Sequence, residues 1–153
     1  MYYMVKIKVG NLLEAEEDII CHSVNCQRVM GSGVARAIRE KYPIAYEDYM
    51  IRTDGVKDID MLGHILFSKV GEVKYVCHLF TQRYYGRENK RYTSYDAMYD
   101  SLKRLKRVVK DMNKSVAFPY GLGSVRGGAD WDIVLAMIEK IFKDDDVTIY
   151  KLE

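Results

Sequence analysis

Apolar and polar residues alternate near the start of the chain, through Val5, Lys6, Ile7, Lys8 and Val9. A period of two predicts a strand over residues 4–9, ended by Gly10 and Asn11, with 12–17 as a short link or helical turn. Residues 18–24 hold Ile19, Ile20, Cys21 and Val24 and read as a buried strand. From Val34 the period lengthens: Val34, Ile38 and Tyr42 share one face of a helix over 32–42 that Pro43 stops. A shorter helix is expected over 44–52, with Ala45, Tyr49 and Met50 partly apolar. Residues 53–61 are polar, and Asp54-Gly55 is a turn signal. Two strand candidates, 63–69 and 73–80, meet at Gly71-Glu72 as a hairpin.

Residues 81–92 are polar, aromatic and basic, and form a long loop for a compact domain, which favours a functional part for it. The longest helix is predicted over 93–113, where Tyr95, Met98, Tyr99, Leu102, Leu105, Val109 and Met112 fall at helical spacing and Thr93 with Asp96 resembles a capping pair. A short strand over 115–118 leads into a glycine-rich stretch, 119–128. A further helix starts near Asp130 and carries Trp131, Val134, Leu135, Ile138 and Ile141. An acidic turn at 144–146 and a strand over 147–152 complete the chain. Strands alternating with helices give an α/β class with a mixed sheet between helices.

Composition narrows the partners. The chain has 153 residues, 48% apolar and 30% charged, which suits one domain, 1–153, with its own core. A net charge of only +2 makes no general case for nucleic acid or membrane. Cationic residues do cluster in 83–91 and in 103–110, the second set reading as the solvated face of a helix. The three cysteines, Cys21, Cys26 and Cys77, are an odd number in apolar surroundings and suit free thiols in a reducing compartment. The first residues lack a basic region followed by an apolar run, so the expected address is the cytoplasm.

Chemistry is expected where strands end. In an open α/β sheet, ligands gather beyond the carboxyl ends of the strands. Gly10-Asn11, the stretch from Asn25 to Gly33, Thr81-Gln82 and the stretch from Tyr120 to Gly128 all fall at such ends. Glycines before a helix leave backbone N–H groups open to an anion. His22 is a catalytic candidate by position; the competing reading is a core histidine satisfied by a backbone carbonyl. Asp130 caps its helix or acts as acid or base, with capping the commoner role. Cys26 is a minor nucleophile option with only His22 near it. Tyr84, Tyr85 and Tyr92 either stack on a base or cover the core edge. Cys21, His22, Cys26, Cys77 and His78 do not make a zinc site, because adjacent strand residues face opposite ways.

Asn25-Cys26-Gln27-Arg28-Val29-Met30-Gly31-Ser32-Gly33-Val34-Ala35, followed by Lys41-Tyr42-Pro43, resembles the first ligand loop of macro domains. Phe118-Pro119-Tyr120-Gly121-Leu122-Gly123-Ser124, then Gly127-Gly128 and Asp130-Trp131, resembles the second, phosphate-binding loop of the same family. Gly10-Asn11-Leu12 stands where the family has Gly-Asp-Leu or Gly-Asn-Leu. Order and spacing fit over nearly the whole chain. The pattern is most similar to the subgroup that processes ADP-ribose 1″-phosphate or removes ADP-ribose from proteins.

The resemblance implies a three-layer α/β/α macro domain fold with a central mixed β-sheet that binds ADP-ribose. It implies Asn11 near the adenine, flanked by Gly10 and Leu12, and Asn25 at the distal ribose. Gly31, Ser32, Gly33, Val34 and Ala35 would lie along that ribose and the diphosphate, beside Thr81 and Gln82. Tyr120, Gly121, Leu122, Gly123, Ser124, Val125, Arg126 and Gly127 would wrap the diphosphate. Arg126 stands where many relatives have a small or apolar residue. Glycohydrolases of similar pattern use a Lys after the Thr that ends the middle strand and an Asp in the second loop. Gln82 and Gly127 stand at those positions, and neither forms a sugar adduct or acts as a base. Phosphatase relatives resemble this chain in carrying a His before the Asn. The implied enzyme is therefore a metal-independent phosphatase acting on ADP-ribose 1″-phosphate, with His22, Asn25 and Asp130 as catalytic residues and no cofactor. A non-catalytic reader of ADP-ribose or ADP-ribosylated protein, and a hydrolase of another ADP-ribose ester, stay open beside it. No membrane partner is expected and a nucleic-acid partner is disfavoured.

Overall fold

The computed structural model describes residues 5–153; Met4, the expected start of the first strand, and the leading residues lie outside them. Six strands form one sheet: β1 (Lys6–Val9), β2 (Ile19–Asn25), β3 (Ile65–Lys69), β4 (Tyr75–Gln82), β5 (Val116–Pro119) and β6 (Val147–Lys151). Their order is β1-β6-β5-β2-β4-β3. β3 runs antiparallel to β4, as the hairpin expectation had it, and the other pairings are parallel.

The helices are α1 (Gly33–Lys41), α2 (Pro43–Thr53), α3 (Asp58–Met61), α4 (Tyr95–Met112) and α5 (Trp131–Ile141), with a 3-10 turn at Leu12–Glu14. Pro43 both closes α1 and opens α2 from its first turn, where a missing N–H costs nothing. The short α3 falls in the stretch read as polar connection, since Asp58 and Asp60 conceal the one buried side chain, Met61.

Two apolar layers flank the sheet and give the three-layer α/β/α arrangement. On one face Met98, Leu102, Leu105 and Val109 of α4 and Val134 and Ile138 of α5 pack on Ile19, Cys21, Cys77, Leu79 and Phe118. Burying each such leucine contributes about 1.5–3 kcal/mol. On the other face Ile38 of α1 and Ala45 and Tyr49 of α2 pack on Val24, Val76 and Phe80. Tyr99 and Met112 keep the helical period of α4 but stay exposed. α4 is capped by Ser94, whose Oγ accepts from Ala97 N at 3.1 Å, in place of the expected Thr93. β1 is one of the two edge strands, and every one of its residues is exposed, Ile7 and Val9 included.

Candidate functional site

β5, β2 and β4 are neighbours at the middle of the sheet, and their carboxyl ends open into one cavity of about 370 Å³. Its walls come from three stretches: Asn25 to Ala35, Gln82 to Arg87, and Pro119 to Gly127. β2 ends in a register irregularity between Val24 and Asn25, which sets Asn25 opposite Gln82. A bulge at this point re-aims the last side chain of the strand.

Asn25 organises the first wall. Its Oδ1 accepts from Gln27 N at 2.9 Å and from Val29 N at 3.3 Å, and its Nδ2 donates to Val29 O at 2.8 Å. Tyr49 fixes the strand end from below, donating from its hydroxyl to Asn25 O at 2.8 Å. Arg28 takes a left-handed φ of 63° and donates to Met50 O and Thr53 Oγ1, tying the loop to the end of α2. The loop then delivers the start of α1. The first intrahelical bond there is Arg36 N to Ser32 O, and Ser32 makes no side-chain cap. The N–H groups of Gly33, Val34 and Ala35 therefore face the cavity without an intrahelical acceptor.

The second wall is a run of turns closed on itself. Leu122 N donates to Pro119 O, Ser124 N to Gly121 O, Gly128 N to Ser124 O and Ala129 N to Gly123 O. Among the described residues, the N–H groups of Gly123, Val125, Arg126 and Gly127 take no backbone acceptor. Gly127 is required by space. A Cβ there would stand 2.0 Å from Thr93 Oγ1 and 2.4 Å from Gly123 O. Thr93 serves this wall, its Oγ1 donating to Gly123 O at 2.9 Å. Gly127 O in turn accepts from both Tyr92 N and Thr93 N, so the 83–92 loop is sewn to the second wall.

Charge in the cavity has one sign. Arg87 and Arg126 line it, and no Asp, Glu or Lys does. Gln82 is nearly buried and donates from Nε2 to Tyr84 O at 2.8 Å. The open N–H groups and two guanidiniums suit an anion, and the size suits a small organic ligand. Among the described residues, no three His, Cys, Asp or Glu side chains gather to hold a metal ion. No helix among them is long and apolar enough to cross a membrane.

Several expected site residues stand elsewhere. His22 lies on the opposite face of β2 from Ser23 and is completely buried. It pairs with His78, Nε2 to Nδ1 at 2.7 Å; His78 Nε2 meets Ser68 Oγ at 2.9 Å, and Ser68 Oγ donates to Asp48 Oδ2 at 2.6 Å. Because the Ser68 hydroxyl proton goes to the carboxylate, His78 Nε2–H must donate to Ser68. His78 Nδ1 then accepts from His22 Nε2–H, and His22 Nδ1 remains a buried acceptor with no partner. Burial, with His78 as a lesser cause, pushes the His22 imidazole well below its ordinary range. Burial likewise lowers His78 to about 4. The expected backbone-carbonyl partner is replaced by this second histidine.

Asp130 is the N-cap of α5, its Oδ1 accepting from Asp132 N at 2.9 Å, and it does not line the cavity. Asn11 caps the 3-10 turn, its Oδ1 accepting from Leu13 N at 3.0 Å; Gly10 abuts Tyr150 and Leu12 is buried, all outside the lining. Thr81 is buried with its Oγ1 bonded to Ser23 Oγ, and Ser124 also falls outside the lining. Burial raises the Cys26 thiol to about 11, which removes its nucleophilic form at neutral pH. The lining adds Ser23, Val24, Val29, Tyr85, Gly86, Arg87 and Pro119. The length of the 81–92 loop was the signal for three of these.

An α/β/α sandwich whose central parallel strands open into an N–H-lined, cationic cleft defines a class of ligand-binding domain. The model of the family described as Macro domain matches residues 21–138, from β2 through α5, and the chain belongs to that family. It is 30% identical over 157 residues to the DNA ADP-ribosyl glycohydrolase of Mycobacterium tuberculosis, an alignment covering 96% of this chain and 42% of that protein. The chain thus spans about two-fifths of the length of the curated relatives it matches. The macrodomain of Mycobacterium tuberculosis DarG superposes with a TM-score of 0.79 at 27% identity, covering 96% of this chain and 97% of that one. The macrodomain of Thermus aquaticus DarG gives 0.80 at 25% identity, covering 98% of each.

Proposed function

We propose that this domain captures ADP-ribose or an ADP-ribosyl group, with the diphosphate held between the start of α1 and the second glycine loop. The observation that carries this reading is two sets of N–H groups without a backbone acceptor, Gly33 to Ala35 on one wall and Gly123, Val125, Arg126 and Gly127 on the other, in a cavity with two arginines and no carboxylate. Backbone donors fix an oxyanion's geometry, and guanidiniums match its charge. Asn25, at the bulged end of β2, is the group assigned to the distal ribose. Names of relatives that act on ADP-ribosylated DNA support the same ligand class.

Turnover is the second reading, and it is favoured by the relatives being glycohydrolases. Its finer form is hydrolysis of ADP-ribose 1″-phosphate to ADP-ribose and phosphate. The cavity lining contains no His, Asp, Glu, Lys or Cys. Hydrolysis would therefore run on a water positioned by Asn25 and deprotonated by the substrate's own phosphate. The water oxygen bonds to phosphorus, the bond from phosphorus to the 1″ oxygen breaks, and that oxygen leaves with a proton. His22, buried behind the strand, would act on this step only through the position of Asn25.

Calorimetry with ADP-ribose tests capture, and no detectable heat at millimolar ligand would refute it. Phosphate release from ADP-ribose 1″-phosphate, and ADP-ribose release from modified protein and modified single-stranded DNA, test turnover. Binding without release in all three assays leaves a reader. Phosphate release lost in His22→Ala, with ADP-ribose affinity intact, would restore His22 to the chemistry.

A further inference from the structure

Most of the anion cradle is uncharged backbone, and Arg126 is the exception within it. It stands at the tip of the second loop next to Val125, which is 83% exposed. The base of that tip is fixed by Ser124 N to Gly121 O at 2.8 Å and Gly128 N to Ser124 O at 3.1 Å. The Arg126 stem crosses to the opposite wall. Its Cγ lies 3.7 Å from where a Cβ on Gly33 would stand, and Gly33 has a φ of +60° at the start of α1. One side chain therefore spans the two loops over the cradle. Its guanidinium makes no ion pair or side-chain hydrogen bond among the described residues, whereas Arg28, Arg36, Arg52 and Arg83 all have partners. A cation with no protein partner, laid over two rows of neutral donors, lacks only a counter-charge.

We propose that Arg126 is a specificity-determining residue, selecting ligands that carry two adjacent phosphates over those with one or none. The inference rests on the diphosphate reading above. Backbone N–H groups place phosphate oxygens without adding net charge. A planar guanidinium forks across two oxygens and gains from each further negative charge it meets. The gain is Coulombic at a partly solvated site, so it weakens as salt shortens the screening length.

The test is calorimetry with ADP-ribose, AMP and adenosine on wild type, Arg126→Met, Arg126→Lys and Lys103→Met, at low and moderate salt. Met keeps the stem and removes the charge. Lys103 is exposed on α4, away from the cavity lining, so Lys103→Met makes the same change in net charge elsewhere. Arg126→Met is expected to weaken ADP-ribose about tenfold at low salt and AMP about threefold, leave adenosine unchanged, and flatten the slope of log K against log salt. Arg126→Lys is expected to recover the slope and part of the affinity, and Lys103→Met to match wild type. Equal losses for adenosine and ADP-ribose would reveal a shape effect and overturn the proposal. So would a Lys103→Met slope as low as that of Arg126→Met. Wild type that binds ADP-ribose, with Arg126→Met indistinguishable from it, overturns the role of Arg126 alone. Wild type that binds no ADP-ribose overturns the capture reading as well.

Discussion

Two polar clusters sit back to back on β2, one residue apart in sequence. Ser23 and Asn25 line the cavity, while His22, immediately before Ser23, enters a dry relay with His78, Ser68 and Asp48. The cavity leaves donors open, and the relay consumes nearly all of its own. The polar residues of this strand thus divide between a cavity at its carboxyl end and a buried network that ties α2 and β3 to the sheet. Tyr49 joins the faces, stacking on His78 with ring centroids 5.4 Å apart while its hydroxyl holds Asn25 O.

This division can be broken from either side. The largest effect is expected from Gly127→Val, whose side chain cannot fit beside Thr93 and Gly123. ADP-ribose affinity should fall more than about 100-fold by calorimetry, as expected when a cradle is displaced rather than trimmed. On the other face, His78→Ala removes the middle of the relay and strands His22 and Ser68. Chemical denaturation should show a loss of about 3 kcal/mol, with ADP-ribose affinity changed less than about threefold.

Acid should separate the faces without mutation. His78 titrates at about 4 when folded and near its ordinary 6.5 when unfolded, and His22 shifts the same way. A lowered folded value means that the unfolded chain binds more protons in that window. Stability is therefore present above about pH 6.5 and lost as pH falls toward about 4, on the order of 3 kcal/mol from His78 alone. Unfolding followed against pH should show this loss, and in His78→Ala the pH dependence should flatten.

Asn25→Asp should lower ADP-ribose affinity about tenfold, because it removes the Nδ2 donor to Val29 O and brings a negative charge to an anion site. The smallest expected effect is Asp130→Ala, a loss of about 1 kcal/mol from the α5 cap with affinity unchanged. A strong affinity loss there would give Asp130 a place at the ligand that its capping geometry lacks.

The alternation of strands and helices, the β3–β4 hairpin and the buried faces of α4 and α5 could be read from periodicity, because each element buries a regular stripe. Both glycine loops were legible because a missing Cβ and a strand-to-helix junction leave a mark in the residue types themselves. Side-chain direction was not. The role of His22 depends on His78 of β4, which is tied in turn to Ser68 of β3 and through it to Asp48 of α2, by pairings that local pattern does not encode. Arg87 and Tyr85 reach the cavity from the 83–92 loop, where Gly86 packs against the ring and hydroxyl of Tyr92. The place of β1 at one end of the sheet is decided by the strand order, which local pattern does not encode.

The Gly127 carbonyl, shared by Tyr92 N and Thr93 N, has a consequence for motion. Any ligand that pins the second loop also restrains these two amides, which sit just before Ser94 and the first turn of α4. Occupancy of the cleft should slow hydrogen exchange at Tyr92 and Thr93, outside the cavity lining, and pass that protection toward the longest helix of the domain. A residue that touches no ligand would then report whether one is present.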